Sequence, residues 1–301
     1  MERIYEAFDR AAEAAMLADA SIDAAWALIE RFSTLVRESG SEDERKAAQY
    51  ISEQLSNWGV PHTVYEPELY LSVPRSASVE VAAQGRTLRA KTPSFSASTG
   101  EAGLTGQVVY VPAEMAAGVG EIFDKTADRR VDVAGKIVLT HGYAMPGSVL
   151  DLERRGAIGQ IYINPGKDIH WGICTTIWGT PDLDNIDRKP RTPVVAVNSP
   201  DGLWLRDLAR NGELTVTLRT ELWEGWAKCP LIVAEIKGTE EPERFILVHG
   251  HYDSWAVGIG DNAVGNGTLL ELARIFWKHR DKLRRSVRIA WWPGHSTGRY
   301  A

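Results

Sequence analysis

The sequence predicts a mixed α/β fold interrupted by a β-rich insert. Three observations carry that expectation: apolar residues at helical spacing near the start, short apolar runs crowding the middle, and a closing strand–helix–strand pattern. The chain has 301 residues, 44% hydrophobic and 25% charged, which excludes a disordered or collagen-like polymer and suggests two domains. Lys and Arg number 34 against 40 Asp and Glu, a net charge of −6, so no nucleic-acid partner is expected. No apolar run reaches the roughly 18 residues of a membrane span, so no membrane partner is expected either. The opening MERIYEAFDR is acidic and amphipathic, with no apolar signal region. Cys174 and Cys229 have neither a disulfide-framework nor a metal-type spacing. The expected compartment is a reducing cytoplasm.

Residues 1–39 read as two helices, with Ile4, Phe8, Ala11, Ala12 and Ala15 on one face and Ala25, Ile29, Phe32 and Val36 on the next. Ser41-Glu42-Asp43-Glu44 has the form of a capping box, opening a third helix that buries Ala47, Ala48, Ile51 and Leu55 and ends near Gly59. Short strands are expected at 62–65 and 77–81. The run 94–100 reads as a linker or loop. Strands follow at 107–111, 136–140, 160–163, 194–197 and 214–218, with helices at 150–155 and 202–210, the second opening on Ser199-Pro200-Asp201. Phe245-Ile246-Leu247-Val248 is a continuous apolar run, as in a strand covered on both faces. An amphipathic helix over 264–278 and a second apolar strand over 287–292 complete the unit.

Ligands of open α/β sheets gather beyond the carboxyl ends of the strands. Those ends carry His249-Gly250-His251-Tyr252-Asp253 and Pro293-Gly294-His295-Ser296, with Gly258-Ile259-Gly260-Asp261-Asn262-Ala263 leading into the intervening helix. Asp261 there either caps the helix or presents its oxygens to a metal beside His251. Asp253 is placed to hold the His251 imidazole. His249 and His279 read as structural or surface residues. Trp291 and Trp292 read as core filling, and Trp171 and Trp178 as an aromatic lid on a loop.

The strings Val248-His249-Gly250-His251-Tyr252-Asp253-Ser254 and Gly260-Asp261-Asn262-Ala263-Val264-Gly265 resemble the co-catalytic zinc aminopeptidase family, whose relatives include glutamate carboxypeptidases and the transferrin receptor. The segment from Gly40 to Ala48 resembles that family's opening helix. Val133-Ala134-Gly135-Lys136-Ile137-Val138-Leu139, Gly156-Ala157-Ile158-Gly159-Gln160-Ile161-Tyr162 and Thr192-Pro193-Val194-Val195 resemble its protease-associated insert. The resemblance implies an incomplete α/β/α sheet in three parts: helices and first peptidase-like segment over 1–100, protease-associated insert over 101–220, and the motif-bearing segment over 221–301. It further implies a divalent metal, zinc above all, as one ion or two, with His251 a terminal ligand, Asp261 a bridging carboxylate and Asp253 orienting His251.

The chain departs from the family at the Glu-Glu pair, which falls on His295-Ser296. His295 is therefore expected to act as base or as metal ligand. The implied activity is metal-dependent hydrolysis of an amide or peptide bond, aminopeptidase-like, on a small peptide or amide substrate. The alternative is a catalytically silent binding protein on the same fold, like the transferrin receptor. The family's domain continues beyond the strand at 287–292, so that strand is expected at an open edge, completed by a second polypeptide or by the other fragment of a cleaved precursor.

Overall fold

A computed structural model describes residues 10–112, 130–177 and 181–298. Ile4, Phe8 and Trp178 lie outside them. In chain order the elements are α1 (Arg10–Ala18), α2 (Asp23–Phe32), α3 (Glu42–Asn57), β1 (His62–Tyr65), β2 (Glu68–Val81), β3 (Arg86–Arg89) and β4 (Leu104–Tyr110). Next come β5 (Ile137–His141), α4 (Pro146–Arg154), β6 (Gly159–Ile163), β7 (Val194–Val197) and α5 (Ser199–Asn211). The last are β8 (Thr215–Lys228), β9 (Leu231–Ile236), β10 (Glu241–His251), α6 (Val264–Lys278) and β11 (Arg285–Trp292). The mixed α/β class is as expected.

The chain forms two compact units, one from residues up to Leu69 plus Ala227–His295, the other from Tyr70–Trp226 plus the residues from Ser296 on. The first unit is a four-stranded sheet in the order β1-β9-β11-β10. β10 and β11 run parallel, while β9 is antiparallel to both β11 and β1. Helix α3 forms where the sequence places it: Ser41, in extended conformation, accepts a hydrogen bond from the Glu44 amide at 3.1 Å. Its face of Ala47, Ala48, Ile51 and Leu55 joins Leu28 and Phe32 of α2, Leu270 and Ala273 of α6, and Ile232, Ile289 and Trp291 of the sheet in one core. Each large side chain so buried is worth about 1.5–3 kcal/mol of transfer free energy.

The edge lies elsewhere than expected. β11 is internal, flanked by β9 and β10, and β10 is the outer strand. Its run is not covered on both faces: Phe245, Ile246 and Leu247 are 47%, 56% and 44% exposed. β10 pairs along one side only among the described residues, so an apolar run typical of a central strand here sits at a margin.

The second unit is a seven-stranded sheet, β3-β2-β8-β4-β5-β6-β7. β4 to β7 run parallel, α4 connects β5 to β6, and α5 leads from β7 to β8, which is antiparallel to β4. Asn198 caps α5 by accepting from the Asp201 amide at 2.9 Å, and Pro200 occupies its first turn. This unit begins at Tyr70 and not near 101, because β2 and β3 form a hairpin inside its sheet. The stretch 94–100 is a loop and not a linker between units, and it is buried at its start. Ser94, Phe95 and Ser96 are buried. Hydroxyls make that burial tolerable: Ser72 Oγ accepts from the Phe95 amide and Ser96 Oγ from the Val194 amide, both at 2.8 Å.

Candidate metal centre

The site lies in the first unit, at the carboxyl ends of the parallel pair. Their register sets His251 opposite Trp292, so His251 and His295 leave the sheet side by side. The chain then crosses residues 252–258 without regular structure and turns into α6. Gly258 has φ of +58°, and a Cβ there would stand 2.5 Å from the Asp261 carbonyl oxygen, so this turn needs glycine. At Gly265 a Cβ would collide with the side-chain amide of Asn262, which packs against the first turn of α6.

The structure brings together His251, Asp261 and His295, one ligand atom of each lying within 4.8 Å of the others. His251 Nε2 meets Asp261 Oδ1 at 2.9 Å, and the rings of His251 and His295 lie 3.9 Å apart at 33°. His251 Nδ1 faces the Asp253 carbonyl oxygen at 3.1 Å and the Asp253 carboxylate at 3.5 Å. An Nδ1–H donated to Asp253 leaves the Nε2 lone pair directed at Asp261 and open to a cation. Two imidazole nitrogens and a carboxylate oxygen are a donor set that suits a divalent transition ion. The residues fit a metal.

Asp253 is fully buried and serves more than His251. Its Oδ2 accepts from the Ser39 hydroxyl at 2.8 Å, and its Oδ1 accepts from the His295 amide at 3.2 Å. One carboxylate thus ties both imidazole-bearing segments to the segment before α3. Burial alone would lower the His251 imidazole, but the hydrogen bond and charge of Asp253, then the charge of Asp261, hold it above its ordinary value. Beneath lies Glu44, whose carboxyl is pushed up to about 8 by burial and by the charge of Asp253.

Residues that the sequence reading passed over complete the surroundings. Asn266 Nδ2 donates to the His251 carbonyl at 3.0 Å and to the Asn262 carbonyl at 2.7 Å. Arg37 donates to three carbonyls of the 252–258 loop. A buried Asn on an otherwise apolar helix face was a signal for the first; nothing local marked Ser39. Where the Glu-Glu pair was expected, His295 supplies a nitrogen and Ser296 is buried, so that position offers no carboxylate. His249 lies edge-on against Trp292 at 5.4 Å, and His279 bonds Asp19 at 2.5 Å. In the other unit, Trp171 lies under the Lys91 ammonium at 4.2 Å.

The structure is a mixed α/β fold with a His-Asp-His cluster beyond its parallel strands. Residues 232–298 match the sequence family described as Peptidase family M28. Over 262 residues the chain is 25% identical to a probable leucine aminopeptidase 2 of Aspergillus oryzae, covering 86% of this chain and 48% of that protein. Over 287 residues it is 24% identical to human Carboxypeptidase Q, covering 89% of this chain and 58% of that one. A zinc aminopeptidase structure from Bacillus subtilis superposes with a TM-score of 0.62 at 22% identity, over 91% of this chain and 62% of that one. A Peptidase M28 precursor from Shewanella amazonensis gives 0.67 at 18% identity, over 96% and 68%. The match over 232–298 agrees with the resemblance read from the sequence, and the chain spans about half the length of the curated relatives it matches.

Proposed function

We propose that this chain carries the metal-binding part of an aminopeptidase-like hydrolase, cleaving an amide or peptide bond at a site altered from the family pattern. The convergence of His251, Asp261 and His295 supports this reading, with His295 a ligand and one ion, zinc above all, as the complement. A divalent ion held there supplies a Lewis acid that polarises the scissile carbonyl. Asp253 keeps the Nε2 of His251 turned outward and, through the His295 amide, holds the second imidazole beside it.

The exposed margin of β10 supports a companion inference: further strands of the domain pair with it, whether from the same polypeptide or a second one. Metal analysis of the completed domain, with hydrolysis of aminoacyl p-nitroanilides, tests the whole reading. One zinc per chain and turnover, both lost in His295→Ala, are the expected result. Turnover lost with zinc retained would make His295 a base and not a ligand. Zinc without turnover would favour the silent binding protein, which the missing Glu pair at 295 and 296 also favours.

A further inference from the structure

Arg37 is buried far from any solvent-facing role, and its guanidinium is spent almost wholly on backbone carbonyls. Nε donates to the Tyr252 carbonyl at 2.7 Å, Nη1 to those of Val257 at 2.7 Å and Phe32 at 3.2 Å, and Nη2 to that of Gly258 at 3.1 Å. The Phe32 ring lies 4.4 Å from the guanidinium carbon. In return, the Arg37 carbonyl accepts from the Ser254 amide at 2.8 Å. Two residues on, the Ser39 hydroxyl holds Asp253. The loop so gripped, 252–258, is irregular and joins His251 to Asp261.

We propose that Arg37, assisted by Ser39, is a positioning residue that straps this loop and so sets the separation of the metal ligands His251 and Asp261; the proposal rests on reading those two as ligands. Burial is costly for the guanidinium and pushes it down to about 10, so its retention calls for a geometric gain. A planar fork gives one side chain the reach to address both ends of the loop, Tyr252 next to one ligand and Gly258 at the turn before the other. An ammonium in its place has a single nitrogen and cannot span these carbonyls. Gly258 matters doubly, because its carbonyl also accepts from the Ala263 amide at 3.1 Å and thereby closes the turn that holds Asp261.

The test measures Zn²⁺ affinity by competition with a chelating dye, melting temperature, and hydrogen exchange at the Ser254 and Ala263 amides. The chains compared are wild type, Arg37→Met, Arg37→Lys, Ser39→Ala and, as a core control in α3, Leu55→Ala. Expected are a zinc affinity about 10–100-fold weaker in Arg37→Met, an intermediate loss in Arg37→Lys, and a smaller loss in Ser39→Ala, each with faster exchange at the two amides. Leu55→Ala is expected to melt earlier with zinc affinity unchanged. The proposal is overturned if affinity simply follows melting temperature across all variants, or if Arg37→Lys and Ser39→Ala keep wild-type affinity and exchange. Those two milder variants decide the matter should Arg37→Met fail to fold. Absence of zinc binding in wild type would sink the ligand reading, while the exchange data would still decide whether Arg37 orders the loop.

Discussion

The two units handle the same structural problem with different chemistry. Each has parallel strands whose carboxyl ends require buried polar groups. In the second unit the buried polar groups along β6 and just past its end are uncharged: Gln160 Nε2 donates to the Val149 carbonyl at 2.9 Å, Tyr162 donates to Gln160 at 2.9 Å, and Asn164 Nδ2 donates to the Gly142 carbonyl at 2.8 Å. In the first they are ionisable: Arg37, Glu44, Asp253 and the half-buried His251. A neutral network satisfies donors and acceptors and stops there. An ionisable one also responds to charge placed beside it. Arg37, Glu44 and His251, all displaced from their ordinary values, gather around the cluster proposed to hold the metal.

The largest test of this contrast exchanges one residue in each network. His251→Ala is expected to weaken metal binding by more than about 100-fold, beyond what loss of a supporting partner costs. Asn164→Ala should cost about 1–3 kcal/mol of stability by leaving buried backbone groups unpaired, with metal content untouched. Metal content per folded chain and thermal unfolding of both variants read the difference; equal metal contents would erase it.

Next in size is Asp253→Asn, which preserves shape and removes charge. Metal affinity should fall about 10–100-fold, because the buried negative charge beside His251 is removed, although the backbone carbonyl that faces Nδ1 stays. An unchanged affinity would reduce Asp253 to a space-filling role.

A pH experiment sharpens the comparison further. The Glu44 carboxyl stands at about 8 in the folded chain against an ordinary 4.5, so its proton is bound more tightly folded than unfolded. Its contribution is complete below about 4.5 and is lost as pH rises through about 8. Glu44→Gln should therefore gain stability relative to wild type across that window, by a few kcal/mol at most, as denaturant titrations at several pH values would show. A difference that does not vary with pH would contradict a buried, protonated Glu44.

The smallest effects come from two glycines. A Cβ at Gly202 would press into Ile163 in the second unit, and one at Gly265 into Asn262 beside the ligands. Each alanine variant should lose about 1–3 kcal/mol by overpacking. Only Gly265→Ala should also weaken metal binding, measured by the same dye competition.

Much of this was legible from residue order alone, wherever the determining interactions are local. His251, Asp253 and Asp261 lie within eleven positions of one another, between a strand and a helix whose periodicities are plain, so their convergence follows from chain geometry. The capping of α3 by Ser41 and the strands of the second unit are local in the same sense. Tertiary structure alone decided the rest. Neighbouring apolar strands look alike in sequence, and only pairing order made β11 central and β10 marginal. The hairpin of β2 and β3 joined the second unit because of its place beside β8. Arg37 and Ser39 reach their partners across more than two hundred residues, through carbonyl oxygens that every residue type possesses and no sequence pattern marks. Side-chain chemistry announced the candidate ligands, whereas the packing of distant backbone decided what holds them.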